Sequence, residues 1–221
     1  MQFLYHEKAG EACICLENEA FLHLKARRVK QNESLKLRNL NDNFLYEYEL
    51  CQLNKKYILL ELKKSEEKPG FSSDIRLALG MIDTGMLEKT LPILNELGLE
   101  ELLLVYADFS QRNFKLDLGR LRRILIASCE QCGRANLMKI SVFKSSDEFK
   151  KACPEAVLLD FEGEELKSFS DYKKEIFFIG TEGGFSQRER ELFAKKVKFI
   201  HPYILKSQSA AISVVANLSL G

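Results

Sequence analysis

Between residues 34 and 62 apolar positions come in short runs, LKLRNL, FLYEYEL and YILLEL, broken by the polar triplets NDN and NKK. Alternating or continuous apolar runs of this length, separated by turn formers, predict strands and therefore a small β-rich domain over residues 1–69. The charged stretch KKSEEKPG, Lys63 to Gly70, ends in Pro-Gly and reads as a linker or domain boundary. Beyond it the pattern changes. Apolar residues from Ile75 to Leu97 fall at helical spacing and predict a helix across 74–97, with Pro92 at a break or second start and Gly98 as the stop.

Farther along, ELLLVYA (101–107), AVLLDF (156–161), EIFFIG (175–180) and the shorter KFIHPY predict strands. DLGRLRRILIASCEQCG (117–133) predicts an amphipathic helix, and another begins near Gln208. Strands alternating with helices over residues 70–221 imply an α/β domain, with a mostly parallel sheet and helices on both faces.

Composition narrows the class without naming a partner. The 221 residues, 46% apolar, suit one large domain or two small ones, and a net charge of +1 requires any basic surface to be local. The six cysteines are too scattered for a disulfide scaffold. Met1 begins a polar segment without a basic-then-apolar leader, and no apolar run approaches the roughly 20 residues of a membrane span. A cytoplasmic protein with reduced thiols is expected.

IGTEGGFSQRERELF, residues 179–193, carries the first local chemistry. Ser186 followed by Glu189 fits a capping box, so a helix should begin there, with Gly183 and Gly184 in the preceding turn. Such a turn is either an ordinary strand-to-helix connection or a ligand cradle at the carboxyl end of a strand. It is neither a P-loop nor a dinucleotide fingerprint. A second polar loop, Lys206 to Ser209, follows another apolar run; if the two strands were neighbours, the loops would form a pocket.

The stretch Lys25 to Arg38 holds six basic residues and one acidic one, a local surplus suited to phosphate contacts or to a solvated face. A second basic group contains Arg134. Cys129 and Cys132 have CxxC spacing, but they lie late in a predicted helix and lack a second pair, so no metal is expected. His6, His23 and His201 are dispersed, and there is no nucleophile elbow.

Taken together, IGTEGGFSQRE resembles the IGPEGGFS motif, ILKSQSA the ILRxETA motif, and IASCEQCGR the EA-x-EQSGR segment of the RsmE family. These are SPOUT-class enzymes that methylate N3 of a uridine in 16S ribosomal RNA. LNELG sits where the family has ATELGV, and HLKARRVKQNESLKLRN resembles HLxxVLRxxxGDxIxLFDG, one residue shorter. The resemblance covers nearly the whole chain, most strongly after residue 74.

It implies an N-terminal PUA-like β-barrel for RNA over 1–69 and, over 70–221, an α/β domain with a trefoil knot that binds S-adenosylmethionine. It also implies a homodimer acting on 16S rRNA or the assembled small subunit. By position, the cofactor would rest on Leu159, Ile179, Gly180, Glu182, Gly183, Ile200, His201, Ile204 and Leu205. Lys25, Arg27, Arg28, Lys30 and Arg134 would meet RNA. The chain also departs from the family pattern: Thr181 replaces proline, His201 glycine and Lys206 arginine, and Ser207-Gln208-Ser209 replaces Thr-Glu-Thr. Lys206 keeps the charge without the planar fork, and Gln208 cannot be a base. Glu182 and Lys206 are the candidate catalytic residues, Glu182 as acceptor of the N3 proton or as a structural carboxylate of the turn. Another SPOUT RNA methylation, or RNA binding without catalysis, is the alternative.

Overall fold

The computed structural model describes residues 2–17, 21, 22, 24, 30, 33–70, 73–111, 116–172 and 174–220. The chain divides into two compact units, Met1–Phe71 with Ile126–Leu137, and Ser72–Leu125 with Met138–Gly221.

In the first unit, β1 (Leu4–Tyr5), β2 (Cys13–Leu16), β3 (Ser34–Arg38), β4 (Phe44–Leu53) and β5 (Ile58–Glu67) form one sheet ordered β1-β3-β4-β5-β2. Only β1 and β3 pair in parallel. Residues two apart share a face, so Ile14 and Leu16, Leu35 and Leu37, Tyr48 and Leu50, and Ile58 and Leu60 bury together. The Tyr48 hydroxyl donates to the Glu11 carbonyl at 2.7 Å and accepts the Gly10 N–H at 2.8 Å, which satisfies its polar end inside the core. Phe3, Leu40 and Cys129 form a second buried cluster, flanked by Ile126 and Leu137.

The stretch expected as a linker or domain boundary is strand up to Glu67, and the division between the two units falls just after Gly70. Lys63–Glu67 continues β5 and pairs with β4. Its charges stay at the surface, Lys63 against Glu61 and Glu49 and Lys64 against Glu66, so the backbone can join the ladder without desolvating them.

Among the described residues the second unit contains six strands ordered β11-β9-β10-β6-β7-β8, all paired in parallel. They are β6 (Arg76–Gly80), β7 (Glu101–Val105), β8 (Lys139–Phe143), β9 (Val157–Glu165), β10 (Phe177–Ile179) and β11 (Lys195–Lys198). Successive residues are buried in β6, β7 and β10, which means that both faces of the sheet are covered there. The helices are α1 (Thr84–Glu96), α2 (Leu118–Cys132, whose last turns belong to the first unit), α3 (Ser146–Ala152), α4 (Gln187–Leu192) and α5 (Ser207–Leu220).

The single helix expected over 74–97 is a strand followed by a helix. Leu77, Ala78 and Leu79 are fully buried in β6, and a short run apolar on both faces has the same sequence texture as a buried helix. The helix begins only after Asp83, whose Oδ1 accepts the Met86 N–H at 3.0 Å; Pro92 lies inside it. Gly98, at φ 84°, marks the expected stop. KFIHPY is also displaced: β11 ends at Lys198, and residues 199–206 are neither strand nor helix.

Candidate active site

At the carboxyl end of β10 the Gly184 N–H donates to the Thr181 carbonyl at 2.9 Å, which leaves Glu182 and Gly183 at the tip of a tight turn. Gly184 has φ 72°, a conformation that favours glycine. The expected capping box follows. Ser186 Oγ accepts the Glu189 N–H at 3.2 Å, and the Glu189 carboxylate accepts the Ser186 N–H at 2.9 Å.

Two other glycines permit close packing behind the turn. A Cβ at Gly180 would stand 3.0 Å from the Gly184 backbone, and one at Gly80 would stand 2.8 Å from the Thr181 nitrogen. Side chains at either position would push the turn out of place.

A cavity of about 860 Å³ lies between this turn, β9 and residues 198–207. Of the residues singled out in the sequence, Leu159, Ile179, Gly180, Glu182, Ile200, His201, Ile204, Leu205 and Lys206 line it. Gly183 lies outside the lining; a Cβ there would face Phe109 at 3.4 Å. The two loops do meet, although β9 stands between β10 and β11. For that reason the middle of β9, just past its last pairing with β10, joins the wall through Asp160 and Phe161, which sequence reasoning missed. Their signal was their place directly after Leu159 in a predicted strand.

Glu182 is exposed, and among the described residues its carboxylate has no hydrogen-bond partner. His201 is exposed at the wall, and its Nδ1 lies 3.1 Å from the Tyr203 nitrogen. Gln208, one residue after the wall residue Ser207, carries a buried Oε1 without a partner among the described residues.

Lys25, Arg27 and Arg28 lie outside the described residues; Lys30 is exposed, and Arg134 is half-buried with its Nε donating to the Asn136 carbonyl at 3.0 Å. Cys129 is buried with its thiol 3.7 Å from the same carbonyl, whereas Cys132 is exposed. Among the described residues no group of three or more His, Cys, Asp or Glu side chains could hold a metal ion, and no helix is long and apolar enough to cross a membrane.

A parallel α/β sheet with a glycine turn and a cavity at its carboxyl edge defines a class that the comparisons make specific. The profile of a family described as an RNA methyltransferase domain matches residues 69–219. The chain is 45% identical to ribosomal RNA small subunit methyltransferase E of Helicobacter pylori strain 26695, over 98% of both chains, and 44% identical to that of strain J99 with the same coverage. The chain therefore belongs to the ribosomal RNA small subunit methyltransferase E, or RsmE, family. Its fold matches the crystal structure of that enzyme from Neisseria gonorrhoeae bound to S-adenosyl methionine, with a TM-score of 0.81, 19% identity, and 98% and 96% of the two chains covered.

Proposed function

We propose that this protein transfers a methyl group from S-adenosylmethionine to N3 of a uridine in 16S ribosomal RNA. The observation that carries the reading is the glycine-backed cavity at the carboxyl end of β10 and the middle of β9, a strand end where open α/β sheets bind ligands. Its volume suits a nucleoside-sized molecule. The absent side chain at Gly180 lets the turn close on the Gly184 backbone and so shape the edge of the cavity.

In this reading Leu159, Ile179, Ile200, Ile204 and Leu205 shield the adenosine from water, while the backbone from Gly180 to Glu182, with His201, holds its polar edges. S-adenosylmethionine supplies a methyl group activated by its sulfonium. The chain's own task is alignment and proton management. Glu182, without a hydrogen-bond partner among the described residues, accepts the N3 proton of the uracil. Lys206 holds a carboxylate or phosphate as a point charge rather than a fork. Because N3 lies on the pairing edge, the uridine enters unpaired or flipped out.

Residues 1–69 act as a PUA-like barrel for RNA, with Lys25, Arg27, Arg28 and Lys30, together with Arg134, on its phosphates. Residues 70–221 form the SPOUT domain with its trefoil knot, a reading supported by loops from separate strands that converge on one cavity. A second copy of the chain covers the exposed apolar side chains of Phe161, Ile200, Tyr203 and Ile204. The protein works in the cytoplasm, on free rRNA or on the small subunit.

Incubation with labelled S-adenosylmethionine and either naked 16S rRNA or undermethylated small subunits, followed by nucleoside mass spectrometry, tests this. N3-methyluridine in one of the two arms is the expected product. Label at another nucleoside, or none, rejects the assignment.

A further inference from the structure

We propose that Glu189 is a positioning residue for methyl transfer, which fixes the cavity turn by clasping the loop after β7 and the start of α3 against it. The proposal rests on reading that cavity as the cofactor site.

Glu189 is completely buried. An ordinary capping box would need only its bond to the Ser186 N–H. Here the other oxygen, Oε1, also accepts the Asp108 N–H at 3.0 Å and the Ser146 hydroxyl. One carboxylate thus binds three chain segments, those beginning α3 and α4 and the loop that follows β7. Arg188 repeats the link at the surface, donating to Asp108 at 2.7 and 3.1 Å and to Asp147 at 2.8 and 3.0 Å. The Ser186 hydroxyl donates to Asp108 at 2.5 Å.

The clasped loop reaches the turn through Phe109. Its Cβ and ring would lie 3.4–3.6 Å from a Cβ at Gly183, so they back the tip of the turn. Gly180, Thr181, Glu182 and Gly184 of the same turn line the cavity. A buried carboxylate satisfied by several donors resists displacement, because releasing any one of them leaves a polar group unpaired. Glu189 therefore sets the position of Phe109, and Phe109 limits the travel of the turn backbone that lines the cavity.

The chain has no tryptophan, so Phe109→Trp supplies a single indole on the clasped loop. Without any ligand, adding Glu189→Gln or Ser146→Ala to that background should raise acrylamide quenching of the indole about twofold; unchanged quenching overturns the clasp. In the chain without the reporter, Ser146→Ala should raise the cofactor KM about tenfold with kcat changed less than about twofold and the RNA KM unaltered. Ser141→Ala, which removes a comparable bond to Glu101 in the same unit, is the control. If both serine variants alter the cofactor KM equally, or if Ser146→Ala lowers only the melting temperature, Glu189 is merely structural and the proposal fails. A wild-type chain that binds no S-adenosylmethionine rejects the cavity assignment instead, while the ligand-free quenching still decides whether Glu189 holds the loop.

Discussion

Arg190 places its Nε 3.1 Å from each carboxylate oxygen of Asp160. The Asp160 side chain is 2% exposed and that of Arg190 22%, so this is a largely desolvated pair, of which Asp160 lines the cavity. Asp160 Oδ1 also accepts the Glu162 N–H at 2.9 Å, which holds the chain just past Leu159 and Phe161. Removing one partner strands a buried charge. Arg190→Leu should cost about 3 kcal/mol in urea unfolding, and combining it with Asp160→Leu should recover much of the loss.

The two glycines that flank Glu182 should respond differently. Gly180→Ala forces a Cβ to 3.0 Å from the Gly184 backbone, whereas a Cβ at Gly183 makes ordinary contact with Phe109 at 3.4 Å. Calorimetry should find cofactor affinity lowered at least about tenfold in Gly180→Ala, equivalent to about 1.4 kcal/mol, and changed by less in Gly183→Ala. Equal effects would mean that the floor of the cavity lies elsewhere.

Glu182→Gln keeps the shape of the side chain and removes its basicity. Single-turnover methylation should slow by about a hundredfold or more, with cofactor affinity preserved. A variant as fast as the parent removes Glu182 from proton transfer.

Tyr46 and Asp42 give the first unit a dependence on pH at both extremes. Burial, then the bond from its hydroxyl to Asp42 Oδ2 at 2.8 Å, pushes the Tyr46 phenol up to about 12. Burial works the other way on Asp42, but bonds from Asn39, the Phe44 N–H and Tyr46, with Arg38 nearby, outweigh it and hold the carboxyl below its usual range. A raised phenol contributes stability fully below the unfolded value of 10.0 and loses it as pH rises toward 12. A depressed carboxyl contributes above 3.8 and loses its effect as pH falls through the folded value. Denaturation followed by circular dichroism should show both losses, and Tyr46→Phe should lessen the alkaline one, while Tyr48, whose phenol burial also pushes up, keeps the remainder.

Local chemistry was the legible part of this chain. Ser186 and Glu189 announce their cap because both partners lie within one turn, and α2 and α5 announce themselves by helical spacing and by the polar stretch before Ala210. Glu189's other duties were invisible, since its bonds to Ser146 and Asp108 span 43 and 81 residues. The same limit hid Asp160 and Phe161. Only the sheet order, with β9 between β10 and β11, brings the middle of β9 to the cavity. Strand β6 was misread for a different reason: burial on both faces erases the alternation that separates strand from helix.

The end of α2 completes the core of the first unit, where Ile126, Cys129 and Leu137 meet Phe3 and Leu40. Glu130 adds backbone ties, taking the N–H of Gln2 at 2.7 Å on its carbonyl and that of Tyr5 at 2.7 Å on its side chain. On the ribosome, therefore, this second cluster of the N-terminal unit waits. At roughly 5–20 residues per second, several seconds of translation separate residue 71 from residue 137, and for that interval Phe3 and Leu40 stay uncovered. A gene fragment ending at residue 69 makes the interval permanent, so the N-terminal unit is a product of late synthesis although its strands are made first.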